Sequence, residues 1–539
     1  MKYFAFMLVI FTLFEILSCQ SDTVPERTTV APKTPPKTSP ANPNNPTDPN
    51  NPTDPNNPTN PPTNPINPPV VPPVVTPTDT VGCSTTGQVC PIEAILVEDK
   101  VTHTSLHNVA KYLVTQNKNG VFFTYAPRRY ESSLASDEVA VAGSQTIWRL
   151  MHVNSDGKSF QKIYEETCKV CNAPAIESDN NGNLFLANGD PDYTTWLLGR
   201  PRNGRLFRFD AANSYQSPQV FPIAQGNSDK FRLAYDSQTD RLFYYTYNAP
   251  SDAIGTALGL QVNSFFKIRT DGGVDQAIAF NKFGGTARIM YPHLAIENSL
   301  IVAGWQTERG GINESEPRLY RNISFVYSSD SGSSWKNFTG QSLSPPIIND
   351  NTGPGTMVTF PNGHPSNEEG DHNWLGDFIL KSGKLHISYQ IWGVMHPGSR
   401  THYSRFNFSN GQRDIDIQPD WNGVAGNGHF VTNAANPNSP LYVVSSKGTD
   451  KGQALAILVS TDEGKTWKDY AIGPVNAGDP TGLDVVQTLH GFTADGYIVG
   501  LYSRCNSRPS LGGMCATYVN GQWIFDSRVY FFRVKAKTE

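Results

Sequence analysis

The sequence predicts an all-β protein whose residues 81–539 form one seven-bladed β-propeller. A coarse unit recurs seven times: an apolar strand, a turn with Gly, Asn or Asp, and a second strand rich in aromatic residues. Four-stranded blades with their loops fit a repeat of this length. The alternative is a six-bladed propeller with an accessory β-sandwich. The second strands are predicted at Val121–Tyr125, Asn183–Ala187, Leu242–Tyr247, Leu300–Trp305, Leu385–Gln390, Leu441–Ser445 and Tyr497–Tyr502.

Residues 1–19 are predicted to be an export signal. A short apolar stretch follows Lys2 and ends at Ser18-Cys19, which is too short for a membrane-spanning helix. The ending resembles a bacterial lipobox, although Ile16 and Leu17 depart from its usual pattern. This resemblance implies a lipidated Cys19 at the mature N-terminus, and an ordinary secreted protein is the alternative.

Residues 20–80 are predicted to form a disordered stalk. The segment is dominated by Pro, Asn and Thr, and it repeats a six-residue unit at 45–50 and 51–56. Such a composition favours extended polyproline II conformation at about 3.1 Å per residue. The stalk would hold the propeller away from a membrane, so we expect a lipid-anchored protein of the bacterial cell envelope, at the outer membrane or cell surface.

Cysteine and charge counts indicate the environment and the class of partner. With Cys19 assigned to lipid, six cysteines remain in three close pairs, which predicts three disulfides in an exported protein. A metal site at the second pair is the alternative. The formal net charge of −5 and the lack of basic clusters argue against nucleic acid. We expect a monomer without a cofactor, and a structural calcium ion is left open. The pairs are Cys83 with Cys90, Cys168 with Cys171, and Cys505 with Cys515.

One octapeptide pattern, S-x-D-x-G-x-x-W, occurs twice, at 328–335 and 460–467. Each copy lies between two strand-like runs, as the turn of a β-hairpin does. The pattern resembles the Asp box, or bacterial neuraminidase repeat, of the sialidase-like β-propellers. The resemblance implies a structural role for its residues and supports the propeller. These residues are Ser328, Asp330, Gly332, Trp335, Ser460, Asp462, Gly464 and Trp467.

Candidate catalytic residues are predicted on the face opposite the Asp boxes. His107, His372 and His429 stand at equivalent positions ahead of their second strands, which predicts that they point to a common axis. The unit from Asp371 to Tyr389 resembles the corresponding part of Asp-box polysaccharide lyases and related rhamnosidases. This resemblance implies proton transfer by His372 and Tyr389, and His107 is a third catalytic candidate because it stands at the position equivalent to His372. His293 and His490 lie nearer their second strands, and we expect them to pack the blades.

Loops after the second strands supply candidate substrate-binding residues. Arginine can pair with the carboxylate of a sialic or uronic acid, and an aromatic ring can stack on a sugar. The Arg-Ile-Pro motif of the sialidases has no counterpart here. We therefore expect a glycoside hydrolase or polysaccharide lyase type of protein that acts on or binds acidic glycans. A non-catalytic adhesin that binds glycan or protein is the alternative. The candidate binding residues are Arg129, Glu308, Arg309, Trp392, His429 and Arg504.

Overall fold

A computed structural model gives the fold of the chain. It describes residues 89–101, 106, 112–128, 146–168, 173–188, 204–223, 231–246, 262–283, 287–309, 319–349, 355–358, 371–393, 400–425, 428–449, 452–474, 483–505, 516–519, 522–525 and 527–537. The predicted signal, Cys19 and the stalk lie outside these ranges. Within them, no helix has the length and apolar character needed to cross a membrane.

Strands make up nearly all of the regular structure in these ranges, beside one 3-10 helix at Ala211–Asn213. In chain order they are β1 (Cys90–Pro91), β2 (Glu93–Val101), β3 (Val114–Asn117), β4 (Gly120–Arg128), β5 (Thr146–Val153), β6 (Phe160–Cys168), β7 (Ala175–Ser178), β8 (Leu184–Asn188), β9 (Gly204–Phe209), β10 (Gln219–Ile223), β11 (Phe231–Asp236), β12 (Arg241–Thr246), β13 (Val262–Arg269), β14 (Val274–Phe283), β15 (Ala287–Glu297), β16 (Leu300–Arg309), β17 (Leu319–Ser328), β18 (Trp335–Lys336), β19 (Ser342–Leu343), β20 (Ile347–Asn349), β21 (Thr356–Met357), β22 (Asp371–Lys381), β23 (Lys384–Gly393), β24 (Arg400–Asn407), β25 (Gln412–Ile417), β26 (His429–Val431), β27 (Leu441–Thr449), β28 (Gly452–Ser460), β29 (Lys468–Ile472), β30 (Leu483–Thr488), β31 (Tyr497–Cys505), β32 (Ala516–Val519), β33 (Gln522–Phe525) and β34 (Ser527–Lys535).

Seven antiparallel sheets form the blades, which confirms the predicted seven-bladed propeller. Blades 1 to 6 are built from β3–β6, β7–β10, β11–β14, β15–β19, β22–β25 and β26–β29. Blade 7 combines β30, β31 and β34 with β2 as its outermost strand. The N-terminal strand β2 therefore closes the ring on the C-terminal blade. The seven predicted second strands correspond to β4, β8, β12, β16, β23, β27 and β31.

The two octapeptide turns resemble Asp boxes and are called the Asp-box turns for that resemblance, and the first of them is held by its own side chains. The Ser328 hydroxyl donates to Asp330 Oδ1 at 2.7 Å and accepts from the Gly332 amide at 2.8 Å. The amide of Ser334 donates to Asp330 Oδ1 at 2.8 Å. Gly332 has a φ of 84°, a value that glycine adopts without steric cost. All of these contacts lie within the turn, so they serve to fix its shape.

The second Asp-box turn repeats the same scheme. Ser460 donates to Asp462 Oδ1 at 2.8 Å and accepts from the Gly464 amide at 2.7 Å. The Thr466 amide donates to Asp462 at 2.9 Å. The two octapeptides thus form equivalent turns in blades 4 and 6.

The two Asp-box tryptophans wedge each blade against the preceding one, but they differ in burial. Trp335 is only 2% exposed, and its ring lies 5.1 Å from Phe265 and 4.6 Å from Phe280 of blade 3. Trp467 is half-buried and lies 5.5 Å from the Tyr403 ring of blade 5. The expectation of a buried ring therefore holds fully for Trp335 and only in part for Trp467.

The cysteines are described only in part. Cys90 in β1 is 3% exposed and disulfide-bonded. Cys168 and Cys505 end β6 and β31, but their side chains lie outside the description. The three predicted disulfide pairings therefore stay predictions, as does the lipidation of Cys19. The remaining cysteines outside the described residues are Cys83, Cys171 and Cys515.

Candidate functional site

Two charged residues lie within apolar stretches of innermost strands. Arg232 follows Phe231 in β11 and is 1% exposed, and Asp377 precedes Phe378 in β22 and is fully buried. A register shift in the pairing of β22 with β23 falls immediately before Asp377. Buried charges require partners, so these two positions mark a polar centre on the inner side of the blades.

Asp377 is the hub of this centre, which we call the axial cluster: Tyr112, Arg232, Asp377, His429 and His490. The Tyr112 hydroxyl donates to Asp377 Oδ1 at 2.9 Å, and Arg232 lies 3.4 Å from the same oxygen. The Phe430 amide donates to Asp377 Oδ2 at 3.0 Å. Five blades contribute one member each, so the axial cluster lies where their inner strands converge.

The two histidines of the axial cluster face the second carboxylate oxygen. His429 Nδ1 lies 3.7 Å and His490 Nε2 lies 3.6 Å from Asp377 Oδ2. Within the part of the chain that the structure describes, neither nitrogen has a hydrogen-bond partner. The side chains of His429 and His490 are 13% and 27% exposed, while Asp377 is fully buried. The imidazoles therefore form the more accessible side of the cluster.

Burial and charge set the ionisation of the cluster. Burial alone would raise the pKa of Asp377, but His490, His429 and Arg232 hold it well below its ordinary value. Burial lowers the pKa of the Arg232 guanidinium to about 9, although the negative charge of Asp377 acts to raise it. Burial also lowers the pKa of His490 to about 3. At neutral pH the cluster thus holds a carboxylate, a guanidinium and a neutral His490.

His293 of β15 lies beside the cluster and is 1% exposed. Its ring centroid is 5.6 Å from that of Phe378, which agrees with the packing role expected for it. Burial, aided by the charge of Arg232, lowers the pKa of His293 to about 3. His293 is therefore a neutral packing residue at neutral pH.

A cavity of about 710 Å³ adjoins the axial cluster, and all seven blades contribute to its lining. Tyr112 and His490 lie on its wall, and in blades 3, 5, 6 and 7 the lining residues follow the cluster positions along the chain. The cavity therefore extends from the cluster towards the Asp-box face. Its wall is about equally polar and apolar, and it includes Glu177, whose pKa burial raises to about 8.

Of the predicted catalytic residues, the structure does not bring Tyr389 to the axial cluster. Tyr389 lies in β23 at 3% exposure among the core residues of blades 4 and 5. Its ring stacks on His402 with centroids 5.1 Å apart. His372 pairs with Trp392 in the backbone register of β22 and β23, and the side chains of both lie outside the description. His107 lies outside the described residues altogether.

The predicted binding residues are spread over several positions. His429 belongs to the axial cluster. Arg504 in β31 is 5% exposed and donates to the Pro474 carbonyl at 3.3 Å, so it is tied to a neighbouring segment. Glu308 and Arg309 end β16, and only their backbone is described, whereas Arg129 lies outside the described residues.

Sequence reasoning missed Tyr112, Arg232 and Asp377, and it expected His490 to pack a blade. His490 instead approaches the Asp377 carboxylate, because the chain after β30 turns its ring towards the axis. A usable signal was present for the charged pair: each stands alone in an apolar run of an innermost strand. Tyr112 carries no such signal, since aromatic residues are common throughout the strands.

Comparisons with known proteins agree with the fold. No family model matches the chain. A levanase from Bacillus subtilis (strain 168) is 26% identical over 119 residues, a match that spans 19% of this chain and only 17% of the levanase. Two solved structures cover most of the chain. A PL25 ulvan lyase has a TM-score of 0.53 at 10% identity over 77% of this chain and 94% of its own.

The second structure, the polysaccharide lyase Uly1, has a TM-score of 0.50 at 12% identity over 79% of this chain and 90% of its own. The PL25 ulvan lyase has also been solved bound to -[GlcA(1-4)Rha3S]-. At these identities the similarity concerns the fold. The chain therefore has the propeller architecture on which these polysaccharide lyases are built.

Proposed function

We propose that this protein is a surface-anchored, glycan-acting propeller of the polysaccharide lyase type, with its active site at the axial cluster. The observation that carries the proposal is the convergence of a phenol, a guanidinium, a carboxylate and two imidazoles from five blades. The fold shared with two polysaccharide lyases supports the same class of substrate. GlcA in the ligand of one of them is a uronic acid, which supports an acidic glycan.

The axial cluster has the groups that eliminative cleavage of a uronate needs. The reaction removes the proton beside the carboxylate, breaks the glycosidic bond and protonates the departing oxygen, leaving an unsaturated sugar. Tyr112, which lies on the cavity wall, is the proposed proton-transfer group. Arg232 supplies positive charge at neutral pH behind it, and the imidazoles of His429 and His490 are proposed to face the incoming substrate.

The loops after the second strands, predicted on the face opposite the Asp boxes and therefore opposite the cavity, are proposed as a second part of the glycan-binding site. His372 remains a candidate base, and Arg309 and Arg504 remain candidate partners for substrate carboxylates. Lipidation of Cys19 and the stalk would present this face to extracellular polysaccharide.

A non-catalytic binding propeller is the second candidate. Asp377 and Arg232 are no more than 1% exposed, which suits a network that only joins the inner strands. In that case the glycan or protein partner would bind to the surrounding loops without being cleaved.

Turnover assays separate the two candidates. The protein is incubated with uronate-containing and neutral polysaccharides, and the ultraviolet absorbance of unsaturated products is followed beside total reducing ends. We expect absorbance to rise only with acidic substrates and to fall about 100-fold or more in Tyr112→Phe, as for loss of a general acid or base. His152→Ala, in strand β5 of blade 1 and outside the axial cluster, is the matched control. Reducing ends without absorbance would indicate hydrolysis, and no product with any glycan would favour the binding propeller.

A further inference from the structure

Three potential metal ligands of the axial cluster face a common point. Asp377 Oδ2, a nitrogen of His429 and a nitrogen of His490 all lie within 4.8 Å of one another. The two imidazole nitrogens are 3.7 and 3.6 Å from the carboxylate oxygen, beyond hydrogen-bond distance. Both are buried atoms that have no hydrogen-bond partner among the described residues. Direct imidazole–carboxylate hydrogen bonds therefore do not account for this arrangement.

These separations are close to those around a zinc ion. Two ligand atoms each about 2.1 Å from a tetrahedral ion lie about 3.4 Å apart. The two imidazole–carboxylate distances exceed this value by a few tenths of an ångström, and the two imidazole nitrogens lie within 4.8 Å of each other, so side-chain rotations that bring the imidazoles together would complete the geometry. We propose that Asp377, His429 and His490 bind a divalent transition-metal ion of the zinc type, with one coordination position open to the cavity.

The surroundings of the three ligands suit such an ion. The Phe430 amide and the Tyr112 hydroxyl fix the carboxylate orientation, as hydrogen bonds to metal ligands commonly do. Two imidazoles and one carboxylate favour zinc or its neighbours over calcium, which prefers six to eight oxygen ligands. Three protein ligands and an open fourth position are typical of catalytic zinc.

The cavity provides the entry path and the position for a fourth ligand. His490 lies on the cavity wall with a side chain 27% exposed. The Arg232 guanidinium contacts Oδ1, the carboxylate oxygen turned towards Tyr112. With the ion bound, the site would carry net positive charge and would favour an anionic fourth ligand. Only the identity of that ligand rests on the proposed function, whereas ion binding does not.

Metal analysis tests the inference without any substrate. The full, untagged protein is loaded with zinc, desalted and analysed by mass spectrometry for metal content, and its affinity is measured against a chromophoric chelator. Cobalt loading reports geometry through visible absorption. We expect about one ion per chain and a rise in melting temperature on loading. In His490→Ala, affinity should fall by more than about 100-fold, because even outer partners of metal ligands contribute 10–100-fold.

Two further variants keep the test decisive. His429→Gln removes the second nitrogen while Asp377 keeps its hydrogen bonds, and His152→Ala is the control that should bind as wild type. The site would be overturned if the wild-type protein held no zinc after loading. It would also be overturned if His490→Ala and His429→Gln each retained as much zinc as the wild type. Zinc bound without glycan turnover would support the site and count against the proposed function. Glycan turnover by a protein that retains no zinc after loading would overturn the site and support the proposed function.

Discussion

Asp377→Ala is expected to destabilise the metal-free propeller by about 3–5 kcal/mol, the usual cost of leaving a buried charge without its partner. Arg232 is 1% exposed and lies 3.4 Å from the Asp377 carboxylate, so little solvent reaches the pair. The substitution also removes the acceptor of the Tyr112 hydroxyl. Replacing both charged residues should lower the stability less than replacing Asp377 alone, since an apolar pair of similar volume leaves no unpaired charge in the protein interior.

The assay is urea unfolding in chelator, followed by tryptophan fluorescence, of the wild type, Asp377→Ala, Arg232→Met and the Arg232→Met/Asp377→Leu double variant. The double variant should recover most of the loss of Asp377→Ala. The reasoning would be refuted if Asp377→Ala unfolded within about 1 kcal/mol of wild type, or if the double variant were as unstable as the sum of the two single losses.

Three other outcomes follow from the fold. Trp335→Ala should lower the free energy of unfolding by about 3–5 kcal/mol, as for other buried aromatics, and Trp467→Ala should lower it less because its ring is half-buried. Glycan affinity should be unchanged in both variants. Reduced affinity at unchanged stability would contradict this. Burial raises the pKa of Glu177 from 4.5 to about 8, so the folded state retains a proton that the unfolded chain loses, and stability should fall as pH rises through this window. Unfolding of Glu177→Gln at pH 5 and pH 8 should show a weaker fall, and an equal fall would exclude Glu177 as its source. Deleting the chain from Leu483 should leave aggregate, because blade 7 closes the ring, and a soluble, cooperatively melting product would contradict that role.

The propeller could be predicted because its signals are local and repeated. Each of the seven aromatic second strands and each of the two octapeptide turns is encoded by a few neighbouring residues. The number of second strands gives the number of blades. The closing strand β2 was not predicted, since its pairing with β34 joins residues more than 400 positions apart. No local pattern encodes such a contact.

The axial cluster could not be predicted for a related reason. Its members stand at different distances from their turns, because a register shift precedes Asp377 and a longer connection follows His429. Counting backwards from the second strands therefore found His429 but passed over His490. A search for single charged residues within innermost strands would have found Arg232 and Asp377.

Closure of the ring and binding at its axis are coupled by this geometry. Each member of the axial cluster comes from a different blade, so any ligand that contacts several members also holds those blades together. Binding to the folded state alone stabilises it by RT ln(1 + [L]/Kd), which is about 2.7 kcal/mol at a ligand concentration of 100 Kd. An ion or glycan bound at the axis should therefore raise the melting temperature of the whole propeller, and this gain should disappear in His490→Ala while it persists in His152→Ala. A ligand that binds to one outer loop should instead raise the melting temperature of His490→Ala and His152→Ala equally. Comparing the melting temperatures of these two variants therefore reports whether the ligand lies at the axis.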